Sequence, residues 1–422
     1  MATKYFIGKA TAVAQVHTGS IDSVDATPAN NTFTVTIGGV AISQAGDTDV
    51  ATTAAALLVL LNASTHPYFS AITWTNPSAG NIVGTSDTAG VPFIAALTET
   101  GAGTGAVTDF AATTASAGST DWSSADNWSD GSVPGAADTV IISNHNGNIS
   151  YGLNQTSISL TKLIIEQTFT GKLGLPYNSF TTSQDGDTSV STADEYREHN
   201  LKIQATNIDV GSHNAVTTPA GSQRIKINNT KAAASTLTVF RTASTSADTG
   251  FPTLRYLAAH ANSDVYVREA RGGVGIAVDE PNETSTVGVV SVSASEATTK
   301  VFIGSGVTIT TFEQTGGANK LNSAATLTTA EINGGTLTIE GDYIITALNI
   351  NGGTVTDNHV KTAGNAVTTC TITGGTLDLT KSSDDRTIAT LNPDGGTVIA
   401  DDDYITITTL DDPSGKYTLS VS

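Results

Sequence analysis

Positive charge is scarce in this sequence: 19 lysines and arginines face 39 aspartates and glutamates in 422 residues, a formal net charge of −20. Such a surface repels phosphate backbones and anionic lipid headgroups, so the chain is expected to bind neither nucleic acid nor membrane. No apolar run is long enough to span a bilayer, and residues 1–9 lack the apolar core of a signal peptide. Synthesis and assembly in the cytoplasm are therefore expected. Cysteine is nearly absent. Cys370 stands alone, which excludes an intrachain disulfide; with no histidine beside it in sequence, it reads as a small buried hydrophobe on a strand and not as a nucleophile.

Aromatic residues make up only 6% of the chain, and Trp74, Trp122 and Trp128 are its three tryptophans. That is a poor supply for the aromatic grooves that grip sugar chains. The seven histidines, His17, His66, His145, His199, His213, His260 and His359, lack the short spacing of a metal-binding pair, and no metal or cofactor is expected.

What the chain does hold is a thin but adequate apolar supply, 38%, mostly Val, Ile, Leu and Ala spread among Thr, Ser and Gly. Branched side chains suit a pleated surface and glycine suits tight corners, so the composition is that of a β protein. At this length more than one structural unit is expected. The acid excess would also keep a protein displayed in many copies soluble.

Residues 1–20 carry Tyr5, Phe6, Ile7, Val13 and Val16 without clean periodicity and read as an N-terminal arm whose apolar side chains have no core of their own. Residues 21–98 read as a small α/β domain. Asn31-Thr32-Phe33-Thr34-Val35-Thr36-Ile37 alternates polar with apolar, and Gly38-Gly39 turns it into Val40-Ala41-Ile42. Asp47-Thr48-Asp49 then precedes a helix over 50–62, on which Val50, Ala54, Leu57, Leu58 and Leu61 recur at helical spacing. Segments 69–74 and 81–85, and one ending at Leu97, read as strands. Residues 99–120, rich in Gly, Ala and Thr, have too few large side chains for a core and read as a linker.

From Asp121 onward short strands alternate with turns. Residues 121–300 read as a β-rich body with a cap over 121–142, and residues 301–422 as β-solenoid repeats. Paired glycines begin at Gly316, Gly334, Gly352, Gly374 and Gly395, spacings of 18, 18, 22 and 21, and four of the five continue as Gly-Gly-Thr-Leu or Gly-Gly-Thr-Val. A period near 20 is one coil of a β-solenoid, each coil pairing its backbone with the next and adding inward apolar residues to a shared core. The glycine pair marks a corner where a Cβ would strike the neighbouring coils. The fold class expected is thus mainly β, a small N-terminal α/β domain followed by a β-solenoid body.

β-Helical folds host polysaccharide-cleaving enzymes, so the paired carboxylates are the catalytic candidates: Asp185 with Asp187, Asp384 with Asp385, Asp401-Asp402-Asp403, and Asp411 with Asp412. Adjacent acids in turns are ordinarily solvated, and no convergent set is visible, so no catalytic residue is expected. Asp185-Gly186-Asp187 and Asp47-Thr48-Asp49 lack the distal glutamate of a calcium loop. Arg271-Gly272-Gly273-Val274-Gly275 lacks the lysine and following helix of a phosphate cradle and reads as a turn.

Two passages carry a family likeness. Asp121-Trp122-Ser123-Ser124-Ala125-Asp126-Asn127-Trp128-Ser129, with Gly131-Ser132-Val133-Pro134-Gly135 and Asp138-Thr139-Val140-Ile141-Ile142 after it, resembles the segment that leads into β-helical surface and phage structural proteins. As a cap, Trp122 and Trp128 would cover the open end of the solenoid. The unit from Phe33-Thr34-Val35-Thr36-Ile37-Gly38-Gly39 to Thr88-Ala89-Gly90-Val91-Pro92-Phe93 resembles a small domain of tailed-phage virion proteins. The whole arrangement is similar to head-decoration, or cement, proteins. The resemblance implies a non-enzymatic homotrimer on the capsid surface, bound to the major capsid protein, with Tyr5, Phe6, Ile7, Val13 and Val16 as candidate contacts. The alternative it leaves is a tail fibre or tailspike that binds host-surface polysaccharide, with or without depolymerase activity; a cell-surface adhesin would need an export signal.

Overall fold

A computed structural model describes residues 2–175, 199–212, 222–248, 250–277, 284–295, 297–304, 306–322, 326–340, 343–358, 366–380, 386–400, 405–412 and 415. The chain is mainly β, and from Thr139 onward its strands stack in parallel, one coil upon the next. Val140, Leu163, Ile208, Leu237, Val265, Val290, Phe312, Ala330, Leu348, Cys370, Leu391 and Leu410 form one column, each in register with the next. A second ladder carries Leu173, Ile225, Leu254, Val274 and Val301, and then Asn319, Leu337, Val355, Leu377 and Val398. This is a β-solenoid-like body with one continuous apolar core. Each fully buried Leu, Ile or Val adds about 1.5–3 kcal/mol, and coil-to-coil contact is what sums those increments along the axis.

The corners follow the glycine pairs. In the pairs beginning at Gly334, Gly352, Gly374 and Gly395 the second glycine has a φ of +74° to +79°. A Cβ on Gly353 would sit 2.4 Å from the Gly335 carbonyl oxygen, and one on Gly375 would sit 2.5 Å from that of Gly353. The repeat visible in the sequence is therefore a vertical stack of glycines, each needed by the coil beneath it.

Residues 16–114 form two antiparallel sheets with their own apolar core around Phe33, Leu57, Leu61, Phe69, Trp74 and Phe93. One sheet has the order Ile72–Thr75, Asn81–Ser86, Val16–Ser23, Ala106–Thr114; the other has Val40–Ala45, Asn31–Ile37, Ala96–Gly101. The helix runs Val50–Ala63, buries Ala54, Leu57 and Leu61, and is capped by Asp49, whose carboxylate accepts from Thr52 N. Asp49 thus serves the helix terminus. Phe69 and Ser70, expected as the start of a strand, belong to the helical turn Pro67–Ser70, and the strand starts at Ile72.

Two expectations are overturned here. The linker over 99–120 is in large part sheet: Gly101 still pairs with Asn31, and Ala106–Thr114 pairs along Val16–Ser23. Small residues built no core there because backbone pairing, not side-chain burial, fixes the segment. The arm over 1–20 is not separate either. Thr3–Tyr5 pairs in parallel with Thr139–Ile141 as the outermost strand of the solenoid, and Val16–Ser23 is an inner strand of the N-terminal sheet. An unpaired first strand would template aggregation, and this segment covers it.

Candidate functional site

The five residues proposed as contacts do not form one patch. Tyr5 is 44% and Val13 is 36% exposed. Phe6 is buried, its ring edge-on to Trp128 at 5.3 Å and to His145 at 5.1 Å. Ile7 and Val16 are half-buried, the first donating its N–H to Asn127 O and the second pairing with Thr85 and Thr114. Tyr5 and Val13 are the two of the five that are fully on the surface.

Around them the N-terminal end of the solenoid is tightly built. Trp122 and Trp128 are both buried, 4.8 Å apart at 69°, with Trp128 Nε1 donating to Trp122 O. Lys4 occupies the column above Val140, and its ammonium is drawn aside to Asp130 at 2.8 Å and to the Ser132 hydroxyl. This bond holds the Asp130 carboxyl below its usual range. Asn127 ties three passages together: its Oδ1 accepts from Ala10 N, and its Nδ2 donates to Gly118 O and Asp121 O. Burial raises the Asp121 carboxyl. Neither Lys4 nor Asn127 stood out in the sequence, because an isolated polar residue in a loop leaves no periodic signal.

Two buried polar knots lie further along. Asp248 receives Arg224 at 2.8 Å and Arg255 at 2.9 Å, with Lys226 at 3.9 Å, and so fastens the outer face of the second ladder. Within the core, Asp357 accepts from Tyr343 Oη at 3.0 Å and pairs with Arg386, which also donates to Leu379 O. Burial, reinforced by Asp357, pushes the Tyr343 hydroxyl well above its ordinary value, so it stays protonated. Burial likewise pushes the Cys370 thiol up to about 12, which removes it as a nucleophile at neutral pH.

Most of the candidate catalytic carboxylates are not among the described residues. Asp185, Asp187, Asp384, Asp385, Asp401, Asp402 and Asp403 lie outside the described residues, as do His213 and His359. At Asp411 and Asp412 the backbone is what is used: Asp411 N donates to Leu391 O, and Asp412 O accepts from Gly415 N. Among the described residues no group of three or more His, Cys, Asp or Glu could hold a metal ion. His17 lies beside Phe93, His66 Nδ1 accepts from Tyr68 N, and His260 Nδ1 from Asn262 N. Gly272 and Gly273 form a solenoid corner, where a Cβ on Gly272 would strike Thr253.

No helix among the described residues is long and apolar enough to cross a membrane. Comparison with protein-family models, with curated proteins and with solved structures finds no match to this chain.

Proposed function

We propose that the chain is a structural protein of a tailed-phage virion, decorating and stabilising the capsid surface without catalytic turnover. The observation that carries this reading is the unbroken column from Val140 to Leu410, closed at its N-terminal end by Lys4, Trp122 and Trp128. Such a column makes a stiff rod, and a stiff acidic rod suits display in many copies. The two N-terminal sheets with the helix Val50–Ala63 are a small α/β domain, and docking on the major capsid protein is assigned to it. Val59, Leu60 and Ile94 stand exposed there, and Tyr5 and Val13 are exposed as well. A homotrimer would place three such domains around a local threefold axis, and several weak contacts held together gain by effective concentration.

Electron cryomicroscopy of virions tests this. The expected result is trimeric density for this chain on the capsid surface. Density on the tail alone would overturn it in favour of the fibre or tailspike reading.

A further inference from the structure

Six arginines fall among the described residues. Arg224, Arg255 and Arg386 are buried in ion pairs with Asp248 or Asp357. The three others, Arg241, Arg268 and Arg271, gather at one corner of two consecutive coils, just after the strands Thr236–Val239 and Asp264–Val267. Glu269 holds two of them, Arg241 Nη2 at 2.6 Å and Arg271 Nε at 3.1 Å. Arg268 is exposed, and among the described residues no carboxylate lies within ion-pair distance of it. Its guanidinium carbon rests 5.0 Å from the centre of the Phe240 ring. On a chain of net charge −20, every described arginine that reaches solvent is at this corner.

The neighbouring face supplies the second half of a site. Tyr266, two residues before Arg268, points outward between buried Val265 and Val267 and is 38% exposed. Its hydroxyl donates to Asp264 at 3.4 Å. Ser291 and then Glu313 follow it in the same outward column. The surface therefore runs from acceptor carboxylates, across an aromatic face, to a cluster of guanidinium groups. Residues two apart on a strand are about 7 Å apart, close to the reach of one sugar ring and its neighbour.

We infer that this corner binds an acidic polysaccharide in which carboxylated and neutral sugars alternate. Tyr266 stacks against the apolar face of a neutral ring, and Asp264 accepts from its hydroxyls. Arg268, its flat face already occupied by Phe240, turns its donor edge to the carboxylate of the next ring, a geometry that a guanidinium satisfies with two parallel bonds. Asp264 and Glu313 repel a uniformly charged polyanion, which is why an alternating polymer is favoured. The inference does not depend on which part of a virion carries the chain.

The test is binding of the full chain to immobilised hyaluronan, an alternating uronate polymer, beside neutral dextran and poly-glutamate. Hyaluronan should retain the protein in a salt-sensitive way, and dextran should not. Arg268→Ala should weaken retention about tenfold, the loss of one charge-assisted contact. Tyr266→Ala should weaken it several-fold, and Arg268→Lys should restore only part. Both side chains are exposed, so the thermal melts should match the parent and exclude misfolding. Absence of hyaluronan binding, equal retention by dextran, or binding unchanged in both alanine variants would overturn the proposal. Equal retention by poly-glutamate would also overturn it, replacing the sugar by an acidic protein surface.

Discussion

Asn319 Nδ2 donates to Gln314 Oε1 at 3.0 Å across the interior of a single coil, at two positions that the neighbouring coils fill with aliphatic side chains. Gln314 stacks between Val292 and Ile332, and Asn319 precedes Leu337 in its column. Both amides have further partners: Asn319 Oδ1 accepts from Val301 N, its Nδ2 also reaches Gly316 O, and Gln314 Nε2 donates to Gly334 O. Removing one partner strands the other in an apolar core at a cost of about 1–3 kcal/mol; removing both loses their mutual bond only once, but still strands Val301 N, Gly316 O and Gly334 O. Gln314→Leu and Asn319→Leu should each lower the urea midpoint, and the double variant should lose clearly less than the sum of the two, because the bond between the amides is lost only once. A double variant as unstable as the sum of the singles would show that the amides do more than satisfy each other.

The glycine corners separate two costs that usually come together. Gly39 and Gly353 both have positive φ, +84° and +75°, but a Cβ on Gly39 would meet nothing within 4 Å, while on Gly353 it would collide with the coil below. Gly39→Ala should therefore cost only the conformational strain, about 1 kcal/mol. Gly353→Ala adds a backbone collision and should cost at least about 2 kcal/mol more, in the range of overpacked cores. Equal unfolding midpoints for the two variants would refute the account of the corner.

This contrast also shows what the sequence could reveal. Gly334-Gly335-Thr336-Leu337 and its copies were legible because stacking forces every coil to solve the same steric problem with the same residue. The helix over 50–63 was legible for a similar reason, since Asp49 caps it and Leu57 and Leu61 repeat on one face. What pairs with what across long separation was not legible. Thr3–Tyr5 meets Thr139–Ile141 through backbone bonds that any residues can make. Ala106–Thr114 looked like a linker for the same reason. The arginine corner leaves no sequence signal because Arg241 and Arg268 are 27 positions apart, and only the register of two coils brings them together.

Acid should loosen the N-terminal end of the solenoid before it affects the carboxylates. The His145 ring packs edge-on to Phe6 and parallel to Phe169, and burial lowers its pKa below the ordinary 6.5. His17 is lowered too, by burial that outweighs the attraction of Asp109. The folded chain then keeps these rings neutral where the unfolded chain takes up protons. Their contribution is complete above pH 6.5 and is lost as pH falls through the folded values. Melting temperature should drop from pH 7.5 to pH 5.5, well above the range where the lowered Asp25 and Asp49 carboxyls titrate. His145→Gln should flatten that slope; an unchanged slope in the His17→Gln, His145→Gln double variant would assign it elsewhere.

The first strand offers the sharpest test of how the solenoid is closed. Thr3–Tyr5 covers the edge of Thr139–Ile142, Phe6 covers Trp128, and Lys4 places a charge where a further coil would have to stack. An inward charge on an edge strand is a known way to stop sheets from adding to one another. Deleting residues 2–6 should expose both the strand edge and the Trp122 and Trp128 pair, giving increased binding of a hydrophobic dye and concentration-dependent association in light scattering. Lys4→Met keeps the strand but removes the charge, so it should associate without the gain in dye binding. If the deletion stays at the parent's oligomeric state with no new dye binding, the strand is an ornament and the cap is complete without it.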